Sequence, residues 1–265
     1  MPQDTDTSEE RLAFDKVVET YDRVRPTYPE PLFDELFSRF EAPPIRILES
    51  GAGTGKATGS LLRRGAHVTA VEPGLNMVAF LRERLGDEYG ESLQAINSTF
   101  EDVSLQGGFD LVFAATSFHW VDPAVRLQKA HDLLRSGGAI AIVSTNQIRS
   151  DTDRGYFAHS QSVYKRYFPD EEVPALPGED IVPPEFTEID ASDLFGTAEL
   201  HRYRWDQTYP TADYADLMRS YAGMQMMADN ERESLIAELS ELIEREYGGS
   251  VTRPLVITLT LAFRP

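Results

Sequence analysis

The 265-residue sequence contains no cysteine. Disulfides, thiolate metal sites and a cysteine nucleophile are excluded together. Long apolar runs are also missing: a stretch such as Ala139 to Val143 is far too short to span a bilayer. The opening residues, MPQDTDTSEE, are acidic and polar, the opposite of a secretory leader. Basic residues are scarce, with 25 Lys and Arg against 44 Asp and Glu and a formal net charge of −19. Nucleic-acid affinity comes mostly from Lys and Arg neutralising phosphate, and no local basic run offsets the balance. The acid is spread through the chain: residues 1–148 hold 14 basic and 22 acidic side chains, and residues 149–265 hold 11 and 22. This distribution reads as a solvated acidic surface. A soluble, cytoplasmic protein is expected, with a small-molecule ligand and neither nucleic acid nor membrane as partner.

What is present is an ordinary globular composition, 41% hydrophobic and 26% charged, sufficient to bury a sizeable core. The length suits one large domain or one domain with a substantial insertion. Hydrophobic spacing predicts a helix over residues 8–24, where Leu12, Phe14, Val17, Val18 and Tyr21 share a face. It ends before Arg25-Pro26, because a residue preceding proline avoids the helical region. A second helix follows Pro29 and Pro31.

Strands are expected at Ile45 to Leu48, His67 to Val71, Leu93 to Ile96, Asp110 to Ala114 and Ala139 to Val143. Helices alternate with them: one through Leu61 and Leu62, one from Asn76 to Leu85, and one opening at Asp122-Pro123. In the last, Asp is the expected cap and Pro the first helical residue, with Gly137-Gly138 as the stop. This alternation predicts an α/β fold, a Rossmann-like, seven-stranded, mostly parallel sheet with helices on both faces. Residues 145–196 carry no strand signal and are expected to form a helical insertion or lid. Late strands near Ala198 to Trp205 and Leu255 to Phe263, with helices over 212–222 and 229–247, complete the count. The expected organisation is an N-terminal helical cap over residues 1–40 and a main domain over 41–265, its insertion at about 145–196.

The most informative string is Glu49-Ser50-Gly51-Ala52-Gly53-Thr54-Gly55-Lys56, between the first strand and its helix. A glycine-rich turn there lets backbone N–H groups approach a ligand closely. A phosphate-binding loop needs Gly, four residues and then Gly-Lys-Ser/Thr. Here Ser50 stands at the first glycine and Ala57 at the hydroxyl, so that reading fails. A dinucleotide fingerprint needs a third glycine where this chain has Lys56 or Thr58, which weakens that reading.

The remaining pattern is Glu49-x-Gly51-x-Gly53-x-Gly55, with Glu72 closing the second strand. It resembles the class I S-adenosylmethionine-dependent methyltransferases. Tyr21-Asp22-Arg23-Val24-Arg25-Pro26-Thr27-Tyr28-Pro29, Phe118-His119-Trp120 and Leu133-Leu134-Arg135-Ser136-Gly137-Gly138 are similar to a small-molecule branch that includes trans-aconitate methyltransferase-like proteins. So is Gly248-Gly249 before the last strand. The resemblance covers most of the chain but not residues 145–196.

It implies S-adenosylmethionine as cofactor and S-adenosylhomocysteine as product. Gly51, Ala52, Gly53 and Gly55 would run beneath the methionine moiety, and Glu72, followed by Pro73, would take the ribose hydroxyls. Glu49 would suit a cationic sulfonium ligand. Tyr21 and Arg25 would close over the cofactor, Met77 would lie against the adenine face, and Thr99 and Phe100 would meet its edge. Many relatives have Asp and Ala at those two positions. Ala115 and Thr116 would border the methionine end.

Methyl transfer is a direct in-line displacement that needs no metal, and positioning supplies most of its catalysis. The absent cysteine also excludes a covalent cytosine-type route. His119 is the one candidate base, with an intrinsic pKa suited to deprotonating a hydroxyl or amine; a packing role for His119 and Trp120 is the plainer alternative. His67, His131, His159 and His201 lack metal-ligand spacing, so no metal site is expected. Tyr156, Tyr221 and Trp120 are candidate acceptor-lining residues, and Arg219 a candidate carboxylate anchor. The expected function is methyl transfer to a carboxylate, hydroxyl or amine of a small molecule that the sequence does not identify. The alternatives are an NAD(P)-dependent oxidoreductase with an atypical glycine loop and a non-catalytic S-adenosylmethionine-binding module.

Overall fold

The computed structural model describes residues 15, 17–41 and 45–265. Seven strands form one sheet: β1 (Arg46–Ser50), β2 (His67–Glu72), β3 (Leu93–Asn97), β4 (Phe109–Ala115), β5 (Leu134–Gln147), β6 (Glu199–Pro210) and β7 (Ser250–Phe263). Their order is β3-β2-β1-β4-β5-β7-β6. The first five pair in parallel. β7 runs against β5: Gly137 donates to the Arg264 carbonyl and Arg264 to that of Gly138, whereas just past the other end of β5 Ile148 donates to the Pro254 carbonyl. The mostly parallel seven-stranded sheet is therefore as the sequence pattern predicts.

Eight of the helices are α1 (Val18–Val24), α2 (Glu30–Phe37), α3 (Lys56–Arg63), α4 (Leu75–Tyr89), α5 (Arg126–Leu133), α6 (Tyr156–Tyr167), α7 (Pro184–Asp190) and α8 (Thr211–Arg219). The short α9 (Ala222–Gln225) and the long α10 (Asp229–Tyr247) follow. Of the helix expected over 8–24, the part before residue 15 and residue 16 lie outside the described residues. α2 begins as its sequence suggests, with Pro31 in the first turn and Glu30 beside the N-terminal end of the helix dipole. It buries Leu32, Phe33 and Leu36.

Two boundaries differ from expectation. Asp122 does not cap a helix at Pro123; its carboxylate accepts from the Ala124 N–H in a local turn, and α5 begins at Arg126. Nor do Gly137 and Gly138 stop that helix. It ends at Leu133, and both glycines lie inside β5, beside a register break between Phe109 and Leu111 of β4.

The chain divides into two compact units. The larger comprises residues 27–145, 182–203 and 257–265, and the smaller 1–26, 146–181 and 204–256. The core of the larger is built from Leu48, Val71, Val112, Ile140 and Ile142 of the strands and from helix residues such as Leu127, Ala130 and Ile189. The smaller has its own core, in which Leu235, Ile236, Leu239 and Ile243 of α10 meet Tyr156, Val163, Tyr214 and Leu217. These α10 positions recur every three to four residues, the spacing of one buried helical face.

Candidate functional site

In the larger unit, register brings the carboxyl ends of β1, β2 and β4 level: Ser50 stands opposite Val71 on one side and Ala114 on the other. Ligands of open α/β sheets bind beyond this edge. The turn leaving β1 is fixed by its own backbone, with Gly51 and Ala52 donating to the Val71 carbonyl at 2.8 and 3.2 Å. Gly51 has φ +69°, and a Cβ there would stand 2.4 Å from the Ser117 Cβ. The Ser117 hydroxyl donates to the Ser50 carbonyl at 2.6 Å, so β4's exit packs directly against the loop. Gly53 has φ +56° for a different reason: nothing lies within 4 Å of where its Cβ would stand. One glycine is needed for a tight protein contact, the other leaves backbone open to a ligand. Between Gly53 and Gly55, Thr54 is buried, and its hydroxyl finds no hydrogen-bond partner.

Glu72 ends β2 with 8% of its surface exposed. One carboxylate oxygen accepts from the Gly53 N–H and the other from the Gly74 N–H, each at 2.9 Å. These bonds orient the carboxylate. Pro73 follows it, half-buried. Glu49, 1% exposed, accepts from the Thr58 hydroxyl at 2.6 Å. Burial, reinforced by the charge of Glu72, pushes its pKa up to about 8 against the Thr58 bond. The two carboxyl groups thus divide: one is held ready by backbone amides, the other is neutral at pH 7.

The remaining predicted residues of this unit surround the same edge. Met77 on α4 and Phe100 after β3 are buried, at 2% and 3% exposure. Thr99 accepts from the Asp102 N–H and donates to its carboxylate, which closes a turn. Ala115 ends β4, and Thr116 follows with φ +56°, a left-handed backbone rare for a β-branched residue. It is held there by its N–H bond to Val143 (2.7 Å) and by side-chain contacts to Tyr28 and Thr145 at 3.2 and 3.4 Å. Such strain concentrates at functional sites. His119 and Trp120 share a short 3-10 turn just beyond, their rings 5.0 Å apart. His119 keeps an exposed surface, yet the protein around its ring lowers its pKa by desolvation, partly opposed by Glu185. Sequence reasoning missed Glu185, which is 66 residues from His119 in the chain and becomes its electrostatic neighbour only through folding. Its Oε2 is buried without a partner.

The other predicted residues belong to the smaller unit. Tyr21, Arg25 and Tyr221 come together there: the Arg25 guanidinium lies 5.1 Å from the Tyr21 ring centre and 4.1 Å from that of Tyr221. Arg25 also donates to the Ser220 hydroxyl and carbonyl at 2.9 and 2.8 Å. Tyr156 is buried edge-on between Tyr214 and Tyr247, with ring centres 5.3 and 5.2 Å away. Arg219 is taken up by Glu233 and Asp216, at 2.7 and 2.8 Å. Among the described residues no group of three or more His, Cys, Asp or Glu could hold a metal ion, and no helix is long and apolar enough to cross a membrane.

Residues 48–142 match the family described as "Methyltransferase domain". An uncharacterized methyltransferase of Mycobacterium bovis is 38% identical over 133 residues, which make up 50% of this chain and 51% of that protein. The chain therefore spans about half the length of that relative. An uncharacterized methyltransferase of Schizosaccharomyces pombe is 27% identical over 231 residues, 84% of each protein. Among solved structures, Haemonchus contortus phosphoethanolamine N-methyltransferase 2, in complex with phosphomonomethylethanolamine and S-adenosylhomocysteine, shares the fold. Its TM-score is 0.55 at 14% identity, over 95% of this chain and 57% of that one.

Proposed function

We propose that this chain, which carries a class I methyltransferase domain over residues 48–142, transfers a methyl group from S-adenosylmethionine to a small-molecule acceptor. The observation that carries the reading is the pairing of the open backbone at Gly53 with the amide-held carboxylate of Glu72. A polyhydroxylated ligand with a positive centre matches an acceptor-only carboxylate, a buried hydroxyl at Thr54 that lacks a partner, and the open space beside Gly53. Pyrophosphate would have to enter beside the Glu72 carboxylate, which repels it. The Phe118-His119-Trp120 turn and the Tyr21 to Pro29 segment favour the small-molecule branch that includes trans-aconitate methyltransferase-like proteins.

When bound, the cofactor supplies a methyl group activated on a sulfonium sulfur. Glu72 accepts from its ribose hydroxyls, while Gly51, Ala52, Gly53 and Gly55 hold the amino-acid end. Met77, Thr99 and Phe100 bound the adenine, and Ala115 and Thr116 the reactive end. His119 is neutral at pH 7, because desolvation lowers its pKa, and so is able to take a proton from a hydroxyl or amine acceptor. Trp120 lines the acceptor's side. Holding the two reactants together is the main catalytic contribution.

Isothermal titration of the purified protein with S-adenosylmethionine, and with NAD as control, tests the reading. Saturable binding of the first alone is expected; binding of NAD alone would overturn it. Glu72→Ala removes charge-assisted hydrogen bonds worth about 1.5–3 kcal/mol each, so cofactor affinity should fall roughly tenfold or more. Retained affinity would remove Glu72 from the ribose role.

A further inference from the structure

Most arginines of this acidic chain lie against carboxylates, and Arg253 on β7 does not. Its guanidinium donates to the Gln147 side-chain oxygen from Nε and Nη2, at 3.1 and 2.7 Å, and to the Tyr221 hydroxyl from Nη1. Among the described residues, no Asp or Glu completes an ion pair with it. A partly buried charge without a counter-ion is costly, and selection of such an arrangement calls for a compensating ligand. Three of the five guanidinium donors are engaged by neutral groups, which leaves two.

The surroundings add to the positive field. Tyr221 is sandwiched between two guanidinium groups, Arg25 at 4.1 Å and Arg253 at 5.7 Å from its ring centre. Those charges and the Arg253 bond together lower the Tyr221 pKa in spite of burial. Tyr209, buried and electrostatically coupled to the same arginines, has a hydroxyl with no hydrogen-bond partner. A buried orphan donor beside a cation that no carboxylate of the described residues pairs is the arrangement expected where an anion binds. Arg253 and Tyr221 each keep part of their surface exposed.

We propose that Arg253, with Tyr221, Gln147 and Tyr209, forms an oxyanion site in the smaller unit that holds the carboxylate of a small acid. Two remaining guanidinium donors match the two oxygens of one carboxylate, and the tyrosine rings offer apolar surface for its carbon body. The binding of this acid does not depend on the methyl-transfer reading above. Arg219 cannot serve in this place, because Glu233 and Asp216 already occupy it.

The test is calorimetric titration of the intact protein with benzoate and succinate, against benzamide as the neutral counterpart of benzoate and inorganic phosphate as the competing oxyanion. Saturable binding of at least one carboxylate is expected, and none of benzamide. Arg253→Gln should weaken that binding at least tenfold. Gln147→Glu should do the same while leaving Arg253 in place, by giving the guanidinium an internal carboxylate; it decides the matter if Arg253→Gln fails to fold. S-adenosylmethionine affinity and melting temperature, measured on the same variants, should stay near wild type. Carboxylate binding that survives both substitutions, no carboxylate binding by wild type, or tighter binding of phosphate would each overturn the proposal. If carboxylates bind and S-adenosylmethionine does not, the oxyanion site stands and the methyl-transfer reading falls; the reverse result separates them the other way.

Discussion

Glu49 and Glu72 are both acids at strand ends and differ in what their neighbours offer. Glu72 receives two backbone N–H groups, whereas Glu49 has a single hydroxyl donor and almost no solvent. The raised pKa of Glu49 carries a definite sign for stability. Below its ordinary value of 4.5 the carboxyl is protonated in both folded and unfolded chains. Between 4.5 and about 8 the unfolded chain releases the proton and the folded chain retains it, so stability falls as pH rises through that window. Glu49→Gln keeps a neutral side chain that accepts from Thr58 and should remove this part of the decline. Melting temperatures of the two proteins from about pH 5 to pH 8 check it: the variant should gain on wild type as pH rises, and parallel profiles would show that Glu49 ionises normally in the fold. Residue by residue, the loop was legible in the sequence because glycine spacing and a strand-end acid are local signals. Arg253 and Glu185 were not. A lone arginine before Pro254 looks like any other, and only folding brings Gln147 and Tyr221 to it.

Among the elements, α5 and α7 are joined in the larger unit by Arg126. Its side chain, 11% exposed, forms a two-point ion pair with Glu188 and donates to the Phe118 carbonyl at 3.1 Å. Its guanidinium also lies 4.9 Å from the Phe118 ring centre, so one residue anchors the turn that carries His119 and Trp120. Arg126→Ala leaves a half-buried carboxylate and a carbonyl without their donor, a loss on the order of 2 kcal/mol between the exposed and buried limits for ion pairs. Urea unfolding should show a lower midpoint with an unchanged slope; an unchanged midpoint would mean the pair contributes nothing. Element types were readable where the pattern was strong, as in the short apolar runs of β1, β2 and β4. Edges were not. β6 extends to Pro210 and β7 starts at Ser250, beyond the strands expected at 198–205 and 255–263. Past Trp205, the β6 residues Asp206, Gln207 and Thr208 carry little hydrophobic signal, and pairing rather than propensity makes them strand. The same competition turned Gly137-Gly138 from an expected helix stop into part of β5.

For the molecule as a whole, the balance of −19 should decide what it avoids. A DNA duplex should show no retardation by the protein in a low-salt gel, where any phosphate attraction is strongest; a saturable shift would reveal a basic surface that the charge count hides. The division into two units has a different kind of consequence. The chain passes from one unit to the other within β5, β6 and β7, at residues 145–146, 203–204 and 256–257. Neither unit is a continuous stretch of sequence, and β7 is placed in the sheet between β5 and β6. During synthesis, the larger unit cannot close its core when residue 145 or even 203 has emerged from the ribosome. It waits for residues 257–263, with β5 and β6 already made and their facing edges bare. Bare edges invite pairing with other chains, so the period between the appearance of β6 and of β7 is the stretch of this protein's life in which a chaperone has most to protect.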